Sequence, residues 1–146
     1  MTRVLLLEDD FSLSFNIKAL LTEHGMDVDV RTVASDAIKC FESETYDLVI
    51  VDLIIYEDER PSTDGGVILI SWLKSPAQKN EALRAIPILC VSGATKQPGL
   101  YHLLDMARSL GADACLEKPF NDVQLIDTVS RLIEGRPVDG PTSRLS

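Results

Sequence analysis

Basic residues are scarce in this chain: 14 Lys and Arg stand against 23 Asp and Glu in 146 residues, a formal net charge of −9. A protein that grips phosphate backbones needs a basic face, so the deficit argues against a nucleic-acid reader. Cysteine is equally sparse. Cys40, Cys90 and Cys115 form an odd, widely spaced set with no C-x-x-C pair, which argues against zinc or a disulfide framework and for small buried hydrophobes. Long apolar runs are missing altogether: no stretch approaches the ~18 residues that a membrane span needs. At the N-terminus Arg3 precedes four apolar residues, Val4 to Leu7, and Glu8-Asp9-Asp10 stops them, too short a run for a signal peptide. These absences point to a cytoplasmic protein without nucleic acid or membrane as partner. At 45% hydrophobic and 25% charged residues, the composition fits one globular domain able to bury its own core.

What remains is a regular alternation. Val4–Leu7, Leu48–Val51 and Ile88–Val91 are short, uninterrupted apolar runs of the kind buried on both faces of a sheet. Met26, Val28 and Val30 alternate with Asp27, Asp29 and Arg31, as on a half-exposed edge strand, and Ala114–Leu116 is a short fifth strand. Between them, apolar residues recur at helical spacing. Leu13, Ile17, Leu20 and Leu21 form one such face, which Gly25 ends. Others run over Ala34–Ser43, Val67–Leu73 and Leu100–Leu110, the last closed by Gly111. A final helix begins at a capping box of Asn121 and Gln124 and continues through Val123, Ile126, Val129 and Ile133. Five strands alternating with five helices predict an α/β fold, a parallel sheet covered on both faces. The pattern is used up by about residue 134. Residues 1–134 are thus expected to form one domain and 135–146, with Pro137, Gly140 and Pro141, a flexible tail carrying no effector domain.

In such a sheet, ligands bind beyond the carboxyl ends of the strands, where the strand order reverses. The first strand is followed by Glu8-Asp9-Asp10, the third by Asp52, the fourth by Ser92-Gly93 and the fifth by Glu117-Lys118-Pro119-Phe120. If the first and third strands are neighbours, Glu8, Asp9 and Asp52 converge, and three carboxylates repel unless a hard cation sits among them. Mg²⁺, with its preference for oxygen ligands and retained waters, suits that site. A hydroxyl and an ammonium beside it are what a transferred phosphoryl group needs.

Taken together, Leu5-Leu6-Leu7-Glu8-Asp9-Asp10, Tyr46-Asp47 through Asp52-Leu53, Asp64-Gly65, Ile86-Pro87-Ile88 through Ser92-Gly93, and Gly111-Ala112-Asp113 through Lys118-Pro119-Phe120 resemble the receiver domain of two-component response regulators. The resemblance spans residues 3–134 and implies the flavodoxin-like doubly wound sheet of order 2-1-3-4-5. It implies that Asp52 accepts a phosphoryl group from a phosphohistidine of a sensor histidine kinase or a histidine phosphotransfer protein. Glu8, Asp9, Asp52 and the main-chain carbonyl of Ile54 would hold Mg²⁺. Ser92 would bond a phosphoryl oxygen, Lys118 would pair with the phosphoryl group, and the Lys118–Pro119 peptide would be cis. The chain would be no enzyme toward an outside substrate but a phosphoacceptor with self-catalysed phosphorylation and dephosphorylation. Its signal would pass in trans to a downstream protein through the fourth helix, fifth strand and fifth helix.

Three features depart from the family pattern. The segment 53–63 is longer than usual, lacks a Met-Pro pair and carries Glu57-Asp58-Glu59. Cys115 stands where the fifth strand normally holds a Tyr or Phe that swings inward on phosphorylation. Ile54 and Ala94, two residues after Asp52 and Ser92, replace polar groups that help align hydrolytic water, which predicts a long-lived phosphoaspartate. A phosphorelay intermediate that passes the phosphoryl group onward uses the same residues, and the sequence does not choose between it and a switch. Other functions fit less well: an adaptor acting without phosphorylation would have no need of the intact set. Haloacid-dehalogenase-type phosphatases need Asp-x-Asp, but Ile54 fills the third position. A dinucleotide-binding module needs G-x-G-x-x-G after its first strand, and none is present.

Overall fold

Val4–Leu7, Leu48–Val51 and Ile88–Val91 offer water no polar face, and every one of these residues is fully buried. The computed structural model describes residues 1–53, 56–57, 60–61, 65–93 and 102–135. Within them the chain runs β1 (Arg3–Leu7), α1 (Phe11–Glu23), β2 (Asp27–Arg31), α2 (Ala34–Cys40), β3 (Leu48–Asp52), β4 (Tyr56–Glu57) and β5 (Arg60–Pro61). It continues through α3 (Gly66–Lys74), α4 (Glu81–Arg84), β6 (Ile88–Ser92), α5 (His102–Leu110), β7 (Ala114–Glu117) and α6 (Asp122–Glu134).

Five strands pair in parallel in the order β2-β1-β3-β6-β7, the expected 2-1-3-4-5 arrangement. The three all-apolar strands occupy its centre. The alternating segment, β2, lies at one edge, where Asp27 faces solvent and Val28 the core. Period-two alternation sorts the side chains into two layers. On one face Leu5, Leu7, Val49, Val51, Ile88, Cys90 and Cys115 pack with Ala34 and Ala37 of α2, Leu69, Ile70 and Leu73 of α3, and Ala107 of α5. On the other, Val4, Leu6, Ile50, Leu89, Val91 and Leu116 pack with Ile17 and Leu21 of α1 and Leu125, Val129 and Leu132 of α6. Each fully buried leucine stabilises the fold by about 1.5–3 kcal/mol relative to exposure.

Helix ends follow the local chemistry. Asp10 caps α1 by accepting from the Leu13 amide, and Gly25 follows the helix at φ +82°, a left-handed conformation natural to glycine. The capping box of α6 is complete: the Asn121 side chain accepts from the Gln124 amide, and the Gln124 side chain accepts from the Asn121 amide, both at 2.8 Å.

The structure also departs from the expectation of five helices and five strands. A sixth helix, α4, is a single turn capped by Asn80. Within the segment read as a long loop, β4 and β5 form a two-residue antiparallel ladder pairing Tyr56 with Pro61. On α1, the buried face includes Ser14, whose hydroxyl donates to the Phe11 carbonyl at 3.0 Å, while Phe11 and Phe15 are exposed and stacked. The helix expected over Ala34–Ser43 ends at Cys40. The side chains of 103 and 104, expected on the apolar face of α5, and the tail beyond 135 lie outside the described residues.

Candidate functional site

The chain leaves β1 toward β2 at one edge and returns on the other side as β3, so the sheet order reverses between β1 and β3. A crevice opens there at the carboxyl ends of the strands. Glu8 follows the last residue of β1, Asp52 is the last residue of β3, Ser92 the last of β6, and Lys118 follows β7. The strands position these side chains because their own residues are packed in the core. Ser92 is held in register with Glu117, and the Lys118 amide donates to the Ser92 carbonyl at 2.8 Å, tying the two strand ends together. The Lys118–Pro119 peptide is cis.

Four of the expected residues, Glu8, Asp9, Asp52 and Lys118, come together. Lys118 Nζ donates to Glu8 Oε1 at 2.9 Å and to Asp52 Oδ2 at 3.0 Å, bridging the two acids across the crevice. Glu8, Asp52 and Ser92 are buried, whereas Asp9 is exposed at the mouth. Glu8, Asp9 and Asp52 each offer a carboxyl oxygen within 4.8 Å of the others. One lysine does not neutralise such a group. Burial, and then the nearby charge of Asp52, push the Glu8 carboxyl up to about 8, against the pull of Lys118. Burial also opposes the Lys118 charge, but Asp52 and Glu8 outweigh it and hold the ammonium above the ordinary lysine range.

Three oxygen donors with this electrostatic deficit fit a small hard cation such as Mg²⁺, which keeps part of its water shell and needs few protein ligands. The main-chain carbonyl of Ile54, Ala94 and Glu57-Asp58-Glu59 cannot be placed against this group, because their positions, or the side chains concerned, lie outside the described residues.

Gly66 is a site residue that the spacing of carboxylates did not single out. A β-carbon there would overlap the Asp52 carbonyl oxygen and come within 2.9 Å of its carbon. The start of α3 therefore packs directly on the backbone that carries Asp52, and only glycine permits that approach. The adjacent pair Gly65-Gly66, just ahead of an apolar helical run, is the signal that could have found it.

The profile of the response regulator receiver domain matches residues 4–130. The chain belongs to that family. Among curated relatives, this receiver domain is 33% identical over 130 residues to the transcriptional regulatory protein QseB of Escherichia coli O157:H7, covering 89% of this chain and 51% of that protein. It is 27% identical over 146 residues to a transcriptional regulatory protein CpxR homolog of Haemophilus influenzae, covering 100% of this chain and 56% of the other. The chain thus spans about half the length of the curated relatives it matches. The acid surplus consequently bears on this chain and says nothing of nucleic-acid contacts by those longer regulators. Among solved structures, the receiver domain of a sensor histidine kinase from Pseudomonas aeruginosa PAO1 shares the fold, with a TM-score of 0.73 and 23% identity over 91% of this chain and 98% of the other. In that protein a magnesium ion is coordinated in the active-site cleft. No described helix of the present receiver domain is long and apolar enough to cross a membrane.

Proposed function

We propose that this receiver domain acts in the cytoplasm as a Mg²⁺-dependent phosphoacceptor. Asp52 takes a phosphoryl group from a phosphohistidine of a sensor histidine kinase or a histidine phosphotransfer protein. A carboxyl oxygen of Asp52 forms the new bond to phosphorus as the bond from phosphorus to the imidazole nitrogen breaks, leaving the donor histidine free. The observation that carries this reading is the meeting of Asp52 with Lys118, 3.0 Å apart, inside a cluster of three carboxyl groups. Positioning and charge neutralisation are what phosphoryl transfer asks of a protein.

Glu8, Asp9 and Asp52, with the Ile54 carbonyl as a further proposed ligand, would hold Mg²⁺, which when bound supplies positive charge for the phosphoryl oxygens. Lys118 offers the second positive charge, already aimed at Asp52. Ser92, at the end of the neighbouring strand, donates its hydroxyl to a phosphoryl oxygen. Phosphorylation adds negative charge to the crevice and draws Ser92 and Lys118 toward it. Ser92 ends β6 and Lys118 follows β7, at the rim of the α5, β7 and α6 surface, which a downstream protein reads.

The test is incubation with acetyl phosphate and Mg²⁺, followed by intact mass. One phosphoryl adduct is expected on the wild type and none on Asp52→Asn. No adduct on a folded wild type, or an equal adduct on the variant, overturns the reading.

A further inference from the structure

The cysteines read from the sequence as separate buried hydrophobes are not all separate. β6 and β7 pair so that Cys90 stands directly opposite Cys115. Both side chains enter the same core layer, and both are fully buried. Parallel neighbours lie about 4.8 Å apart in the hydrogen-bonding direction, within the roughly 4.4–6.8 Å that separates the α-carbons of disulfide-bonded cysteines. Each thiol sets the proton affinity of the other. Cys115 lies below the ordinary thiol range, first because Cys90 donates toward it and then because Arg108 of α5 offsets its burial. Cys90 lies well above that range for the complementary reason, its hydrogen bond with Cys115 and then burial. One sulfur is thus prepared as a nucleophile beside a protonated partner.

We propose that Cys90 and Cys115 form an oxidisable dithiol that closes to a reversible disulfide between β6 and β7. With hydrogen peroxide as oxidant, the Cys115 thiolate attacks one oxygen, the O–O bond breaks and hydroxide leaves, giving a sulfenic acid. Cys90 sulfur then attacks the Cys115 sulfur, the S–O bond breaks, and the Cys90 proton leaves with the hydroxyl as water. Two electrons pass from the thiols to the peroxide, and two waters form in all once the hydroxide regains the proton first lost by Cys115. β7 is an edge strand, so local opening exposes the pair without unfolding the sheet's centre. The bond must draw the β-carbons closer than sheet spacing, to roughly 3.8 Å, and such strained disulfides are readily reduced. Its place gives it a consequence: Cys90 lies two residues before Ser92, and Cys115 three before Lys118. The inference concerns the thiols alone and stands or falls apart from phosphoryl transfer.

The test uses the full chain carrying Cys40→Ser, so that only the pair remains. Treatment with hydrogen peroxide should remove two hydrogens' mass, restored by dithiothreitol, and peptide mapping should join Cys90 to Cys115. Neither Cys90→Ser nor Cys115→Ser in that background should show the loss. Arg108→Met should slow closure by roughly threefold for each unit by which the Cys115 pKa rises, since thiolate is lost tenfold but gains nucleophilicity. A folded protein whose two thiols both persist under peroxide, or advance singly to sulfinic acid, overturns the proposal. So does a cross-link that forms only in denaturant.

Discussion

Gly66 lies so close beneath Asp52 that a β-carbon on it would overlap the Asp52 carbonyl oxygen. The helix α3 is therefore seated against the peptide of Asp52, the proposed phosphoacceptor, and its position and that of the Asp52 backbone are not independent. Gly66→Ala must move one or the other. Overpacking of this kind costs about 1–3 kcal/mol. A lower urea midpoint and a slower gain of phosphoryl adduct from acetyl phosphate are expected together. A variant equal to the wild type in both would show that the contact relaxes freely.

The Glu8 carboxyl gives a pH dependence with a definite sign. Its proton is held up to about pH 8 in the folded chain, whereas the ordinary value is 4.5. The folded protein therefore binds the extra proton between those limits. The stability it confers is complete below the lower limit and lost as pH rises through the upper one, at roughly 1.4 kcal/mol per pH unit at most. Thermal melts in a chelator from pH 5 to pH 8.5 should show this decline, and Glu8→Gln should flatten it.

The same proton competes with a cation. Mg²⁺ affinity should rise with pH up to about 8 and each binding event should release part of a proton. Calorimetry in two buffers of different ionisation enthalpy measures that release directly. Identical heats in both buffers would contradict it.

Lys118→Met removes the ammonium that bridges Glu8 and Asp52. With a competing positive charge gone, Mg²⁺ should bind more tightly, while phosphorylation by acetyl phosphate should fall by at least tenfold. The opposite movement of the two quantities separates a charge partner of the phosphoryl group from a merely structural lysine.

If Asp52 is phosphorylated as proposed, the adduct should be long-lived, because neither Ile54 nor Ala94 supplies a polar group for water. Ile54→Asn or Ala94→Gln should shorten the half-life of the isolated phosphoprotein several-fold, followed by loss of adduct in Mg²⁺. A wild-type adduct that decays as fast as the variants' contradicts the expectation.

Much of this was legible because it depended on neighbours in sequence. The all-apolar runs ending at Leu7, Val51 and Val91 read as strands buried on both faces, and with the order that the resemblance implies the acids and Ser92 just beyond them were expected on one rim. The alternation around Val28 marked an edge, and Asn121 with Gln124 marked a helix start. What escaped depended on contacts between distant segments. The turn at Glu81–Arg84 is too short for a periodicity, and β4 and β5 are held by pairing rather than by composition. The approach of Gly66 to Asp52 needs the seat of α3, and the opposition of Cys90 and Cys115 needs the strand register. Spacing along the chain carries none of that.

The edge strand β2 has a bearing on how copies of this protein behave together. An open strand edge is a template on which another chain can add itself, and long apolar edges seed aggregation. Here Asp27 and Asp29 interrupt the edge, and Arg3 from the adjoining strand spans both acids at 3.1 Å and 3.3 Å. A second copy adding its own β2 would bring four carboxylates against each other. Part of the negative charge is thereby placed to keep concentrated protein from extending its sheet from molecule to molecule.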